Sequence, residues 1–173
     1  MSKIYAGSDH AGFALRRRLV EHLRARGHEV EDLGATTDAP SDYPDYAAAV
    51  GRAVVGEAGA GGGQPGAVGL LVCGTGLGVC IAANKIHGVR AIDAWNVEVA
   101  KISRHHNDAN VLCLGARTTP EPLAVEIADA WLAAPFEGGG RHTVRVGKIA
   151  AIEQEEDRAD SLRQQERDRS NGR

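Results

Sequence analysis

The sequence predicts an α/β fold, a three-layer α/β/α sandwich around a five-stranded parallel sheet, with a C-terminal helix and charged tail beyond it. Three observations lead there. Short apolar runs alternate five times with longer segments of helical period, the pattern of strands joined by crossover helices. Several of those runs lack period-2 alternation, as strands covered on both faces do. The first and third runs end in glycine-rich turns.

The elements follow in order. Ile4–Ala6 reads as the first strand. Ala11–Arg26 reads as a helix: Leu15, Leu19 and Leu23 repeat at i+4 with Val20 beside them, and Gly27 is a C′ stop. Glu29–Leu33 is the second strand. In Asp45–Glu57, Tyr46, Val50, Ala53 and Val54 form a helical stripe. Val68–Cys73, Val89–Asp93 and Val111–Leu114 are strands three to five, and Gly78–Ile86 and Asn96–His105 are helices following the third and fourth. Thr118 and Glu121 have the spacing of a capping box, ahead of a buried face of Leu123, Ile127 and Trp131. Crossovers are expected to be right-handed. With a strand order of 2-1-3-4-5, the sheet is Rossmann-like (flavodoxin-like). Ala58–Gly66, AGAGGGQPG, reads as a surface loop. The domain is expected to span 1–153. The remainder, 154–173, is a charged tail, partly disordered, because it has almost no apolar residue to bury.

Composition narrows the function. The chain has 173 residues, the length of one domain, and a formal net charge of −3. That argues against a nucleic-acid binder, which shows a basic excess. No apolar run reaches membrane-spanning length, and no export signal opens the chain. Three cysteines without a CxxC pair argue against a disulfide framework and for a reducing, cytoplasmic setting.

The chemistry gathers in a few segments. Gly7-Ser8-Asp9-His10-Ala11-Gly12 ends the first strand and Cys73-Gly74-Thr75-Gly76-Leu77-Gly78 the third. In the expected sheet both lie at the carboxyl edge beside the switch point, where ligands bind. Gly74, Gly76 and Gly78 let backbone approach a ligand, and amides at a helix start favour an anion. Val79 stands where a dinucleotide fingerprint needs glycine and where a Cys-x5-Arg phosphatase loop needs arginine. Cys73, last in its strand beside that loop, has a setting that favours a thiolate. Cys80 and Cys113 lack it and read as packing residues. His105-His106-Asn107-Asp108 is a denser polar cluster than a connector needs. Arg141 and Arg145 share a helix face behind Gly138–Gly140, next to His142. With Arg117 after the fifth strand, they suit a phosphate dianion.

These segments resemble a known family. GSDHAGF near the start, DYPDYA at 42–47, CGTGLG with IAANK at 81–85, SRHHNDANVL at 103–112 and GGRH at 139–142 are similar to type B ribose-5-phosphate isomerase and its galactose- and allose-6-phosphate relatives, over about residues 3–153. The resemblance implies an aldose–ketose isomerase working through an enediolate. One branch of the family uses a cysteine base at the start of the CGTG motif, another a glutamate after the glycine loop. Cys73 is present here and Val79 occupies the glutamate position, so the resemblance is to the cysteine branch. By that analogy Cys73 moves the proton, and Thr75 with the 74–78 amides stabilises the oxyanion. His106 opens the ring, helped by Asp9 or Asn107. His10, Arg117, Arg141 and Arg145 bind phosphate, some from the partner, and Tyr43 and His142 line the pocket. The resemblance implies no metal or redox cofactor. It implies a homodimer, or a dimer of dimers, with shared sites, and ribose 5-phosphate as substrate. The alternatives are an isomerase of a six-carbon aldose phosphate and a non-catalytic sugar-phosphate or nucleotide-binding module. In the latter, Asp93 would mimic a ribose-binding acid.

Overall fold

The computed structural model describes residues 1–58 and 66–171; most of the glycine-rich stretch at 58–66 lies outside them. The described chain divides into two compact units, 1–137 and 138–173.

The first unit is the expected sandwich. Five parallel strands, β1 (Lys3–Ser8), β2 (Glu29–Asp32), β3 (Val68–Cys73), β4 (Ala91–Asp93) and β5 (Val111–Gly115), alternate with α1 (Phe13–Ala25), α2 (Tyr43–Ala58), α3 (Leu77–Ala83), α4 (Val97–Asn107) and α5 (Glu121–Ala133). The inner strands send alternate residues to opposite cores. Ile4, Leu70, Val72, Leu112 and Leu114 pack with Leu19 and Leu23 of α1 and with Ile127 and Trp131 of α5. Tyr5, Leu71, Cys73, Val111 and Cys113 face Val50 and Val54 of α2 and Val79 and Ala83 of α3. This double burial is why β3 and β5 read as unbroken apolar runs.

The strand order is β2-β1-β3-β5-β4, which corrects the expected 2-1-3-4-5. Burial decides it. All five residues of β5 are buried, so β5 needs a neighbour on each side. β4 has three residues, of which only Ala91 is fully buried, and it suits an edge. The loop after β5 therefore lies beside the loop after β3.

The helix ends show which local signals hold. α1 stops as expected: Gly27 has φ +85°, its N–H donates to Arg24 O, and His28 N–H donates to Leu23 O, a Schellman closure. Asn96 caps α4 by accepting from Val99 N–H at 2.8 Å. The capping box at Thr118 does not form. Thr118 Oγ1 instead donates to Gly115 O at 3.3 Å, and α5 begins after Pro120. A residue before proline is pushed out of helical geometry, which bars Thr119 from the helix.

The second unit contains α6 (Gly140–Asn171). The tail expected to be partly disordered is helical through Asn171. No glycine or proline occurs from 148 to 171. Arg163 pairs with Asp160 at 2.6 Å, and Gln164 donates to Asp168 at 2.9 Å. Such pairs, one turn apart, support a helix whose side chains are mostly exposed.

Trp131 is the largest fully buried side chain, 1% exposed, with the Arg104 guanidinium 5.1 Å from its ring centroid. Trp131→Ala is expected to lower unfolding free energy by about 3–5 kcal/mol, read from urea denaturation followed by far-ultraviolet circular dichroism.

Candidate active site

The register of the sheet assembles the site. Ser8 pairs with Val72 and Cys73 with Gly115. The turns after β1, β3 and β5 therefore open side by side at the carboxyl edge, bringing together Asp9, His10, Cys73 and Arg117.

Cys73 closes β3 and is 4% exposed. The Gly76 N–H donates to its Sγ at 3.2 Å, so the loop holds the sulfur it encloses. Gly76 itself has φ +82°, in the left-handed region, and caps α3. A Cβ there would overlap Asp93 Oδ1 and crowd Leu114. Gly78 lies under the Tyr43 ring, 2.8 Å from where its Cβ would stand, so Tyr43 forms a wall of the loop. Arg117 spreads its guanidinium over Gly74 and donates its backbone N–H to Gly74 O at 2.9 Å. Thr75 is exposed, with its backbone against Gly115.

Asp9 is buried and accepts the Gly12 N–H at 3.1 Å, which ties the β1 turn to the start of α1. The His10 backbone N–H donates to Ser41 Oγ at 3.2 Å, and Ser41 N–H donates to His10 Nδ1 at 3.1 Å. His10 Nδ1 also lies 3.1 Å from Ser41 O, so the ring nitrogen is held against both backbone groups of Ser41.

His106 and Asn107 are placed differently. They end α4, which runs from the carboxyl edge after β4 back to the start of β5. Arg90, just before β4, donates Nε to the carbonyls of Asn107 and Asp108 at 3.2 and 2.8 Å. The pair thus stands at the amino edge of the sheet. It is separated from Cys73 of the same chain by the length of a strand, on the order of 15 Å. Arg141, His142 and Arg145 belong to the second unit, in the first turns of α6, where Arg141 Nε approaches His142 Nε2 at 3.5 Å.

Two residues, Ser41 and Arg16, escaped the sequence reading, and a third, Asp93, entered it only as a mimic of a ribose-binding acid. Ser41 lies in a run of polar turn residues with no motif. Arg16 is 2% exposed and donates to Ser8 Oγ and Ala35 O at 3.0 and 2.7 Å. Its Nε sits 3.1 Å from Asp32 Oδ1, an ion pair outside hydrogen-bond angles. Burial lowers its guanidinium from the ordinary value. Arg16 braces β1 against β2 just below Asp9. Its position beside Leu15 and Leu19, within the inward stripe of α1, was the available signal. Asp93 stands beneath Gly76, and burial raises its carboxyl above the ordinary range.

Cys80 and Cys113 are packing residues in the core behind the loop, as expected, and their thiols contact one another. That contact lowers Cys80, while burial raises Cys113. All three cysteines are free thiols.

Comparison with known proteins places this geometry. The family model described as Ribose/Galactose Isomerase matches residues 4–149. Ribose-5-phosphate isomerase B of Escherichia coli K12 is 49% identical over 154 residues, 89% of this chain and 98% of that protein. Among solved structures, ribose-5-phosphate isomerase B of Clostridium thermocellum is 46% identical with a TM-score of 0.81, covering 88% of this chain and 98% of that one. Ribose-5-phosphate isomerase B of Mycoplasma genitalium, solved with bound ribulose 5-phosphate, is 41% identical with a TM-score of 0.82, covering 88% and 97%.

The glycine loop separates two kinds of glycine. Gly76→Ala meets both a positive φ and Asp93, and is expected to destabilise by about 1–2 kcal/mol or more. Gly56→Ala, exposed within α2 with nothing within 4 Å, is expected to stabilise by about 0.5–1 kcal/mol. Urea midpoints of the two variants should move in opposite directions.

Proposed function

The chain belongs to the ribose/galactose isomerase family, and on that premise we propose that it interconverts ribose 5-phosphate and ribulose 5-phosphate, with Cys73 as the base. The observation that carries the reading is the thiol itself. Cys73 stands at the end of β3, enclosed by the glycine loop and held by the Gly76 amide at 3.2 Å. The relative solved with ribulose 5-phosphate supports the five-carbon substrate.

The reaction needs a ring opened, a proton moved and an oxyanion stabilised. His106, with Asn107 or Asp9 beside the reacting hydroxyls, opens the ring, because imidazole accepts and donates protons near neutral pH. The Cys73 thiolate then takes the C2 proton, and the electron pair passes to the C1 carbonyl oxygen as an enediolate. Thr75 and the 74–78 amides receive that oxygen. The O2 proton passes to O1, and the Cys73 thiol returns its proton to C1, leaving the C2 ketone. His10, Arg117, Arg141 and Arg145 hold the phosphate, some of them contributed by the partner copy, guanidinium forks suiting its paired oxygens. Tyr43 and His142 bound the pocket.

The working unit is a homodimer with shared sites. His106 and Cys73 of one chain lie at opposite sheet edges, so a site containing both takes one from each copy. Leu77 and Ile81, one turn apart on α3, and Trp95 are 59%, 65% and 68% exposed. They offer an apolar face for that contact at the carboxyl edge. A reducing, cytoplasmic setting fits a mechanism that depends on a free thiol. No helix among the described residues is long and apolar enough to cross a membrane.

Cys73→Ser tests the assignment. A serine hydroxyl is too weak an acid to supply an anion near neutral pH without further activation. Turnover of ribose 5-phosphate should fall by at least about a thousandfold, on the scale of a lost catalytic nucleophile. Binding of a sugar-phosphate analogue, measured by calorimetry, should persist. Turnover near that of the unmodified protein would remove Cys73 from the chemistry.

A further inference from the structure

We propose that Cys80 and Cys113 form an oxidisable dithiol: a hydroperoxide converts the pair to a disulfide behind the glycine loop. The assignment is independent of the role of Cys73, and it concerns two thiols that the mechanism above does not use.

The fold brings the two sulfurs together. Cys80 lies on the sheet-facing side of α3, with its Sγ 3.4 Å from Ala91 O of the edge strand β4. Ala91 pairs with Val111 of β5, and Cys113 follows two residues on, paired with Asp93. Cys80 therefore sits over the seam between β4 and β5, where Cys113 enters the core beneath α2 and α3. The two thiols are hydrogen-bonded to each other. They belong to the elements on either side of the loop's base. α3 begins at Leu77, and β5 ends at Gly115, which lies against the Thr75 backbone.

The two thiols also differ in the way such a pair requires. Cys80 is half-buried. The hydrogen bond from Cys113 lowers its thiol below the ordinary value, against the opposing effects of burial and the Asp93 charge. Asn84 Nδ2 approaches the same sulfur at 3.7 Å. Cys113 is fully buried, and burial holds it protonated. A partly exposed, more acidic thiol beside a second thiol is the arrangement that peroxides oxidise selectively. The Cys80 thiolate attacks the terminal oxygen of the hydroperoxide. The S–O bond forms, the O–O bond breaks, and the departing oxygen takes a proton to leave as an alcohol, or as water from hydrogen peroxide. Cys113 sulfur then attacks the Cys80 sulfenic acid. The S–S bond forms, the S–O bond breaks, and hydroxide leaves with the Cys113 proton as water. Two thiols are oxidised by two electrons, and the peroxide is reduced by two.

The test treats the full chain and its Cys73→Ser variant with hydrogen peroxide, blocks the remaining thiols by alkylation, and locates the products by mass spectrometry without reduction. Both proteins should yield a peptide pair joined through Cys80 and Cys113 that dithiothreitol separates. With Cys113→Ala, Cys80 should instead accumulate as sulfinic acid. With Cys80→Ser, which alters only a half-buried side chain, Cys113 should stay reduced. Cys80 and Cys113 both recovered as free thiols while Cys73 is oxidised would overturn the proposal. So would Cys80 sulfinic acid beside an intact Cys113 thiol in the unmodified protein, or a disulfide from Cys80 to Cys73. Because the readout is the bond itself, loss of the base assignment for Cys73 would leave these outcomes unchanged.

Discussion

The burial of β3 on both faces is the constraint from which the site follows. Every residue of Val68–Cys73 is buried, so the strand must lie inside the sheet with helices above and below. Its flanking strands are then β1 and β5, and their register puts three strand-to-helix turns side by side. A thiol at the last position of such a strand is at once part of the α2–α3 core and at the floor of the edge where a ligand can approach. The packing of Cys73 and its place beneath the glycine loop are two consequences of one placement.

The glycine loop converts that placement into a tailored surface. Each of its glycines meets a different partner: the Arg117 guanidinium at Gly74, Asp93 at Gly76, the Tyr43 ring at Gly78. A cation, an anion and an aromatic wall thus contact one five-residue turn, and a methyl group at any of the three positions would push a partner away. The loop is also stitched to the turn after β5 by Ala116 N–H to Cys73 O and Arg117 N–H to Gly74 O. Movement of β5 relative to β3 would therefore be felt at the thiol.

Much of this was legible from residue types. Continuous apolar runs announced β3 and β5, Gly27 announced the end of α1, and the two glycine-bearing turns announced the carboxyl edge. What escaped depended on competition between elements rather than on local pattern. β4 and β5 both read as strands, and only their relative length and burial put β5 inside. Thr118 and Glu121 carried the right spacing for a cap, but Pro120 between them overrode it. The acidic and basic residues after Glu153 read as a partly disordered tail, while their side-chain pairing and the absence of glycine or proline from 148 to 171 suit a continued helix. His106 was joined to Cys73 by the family resemblance; the direction of α4 sets the two residues of one chain at opposite edges, which no local motif records.

The account stands on the reacting carbons lying over Cys73. Its most direct test is a crystal structure of the chain with a non-reactive, open-chain five-carbon sugar-phosphate analogue. The account predicts C1 and C2 in van der Waals contact with Cys73 Sγ, at about 3.5–4 Å. It also predicts the C1 oxygen against the 74–78 backbone, with His106 of a second copy at the hydroxyl that closes the ring. An analogue bound with its first two carbons away from Cys73 would contradict it.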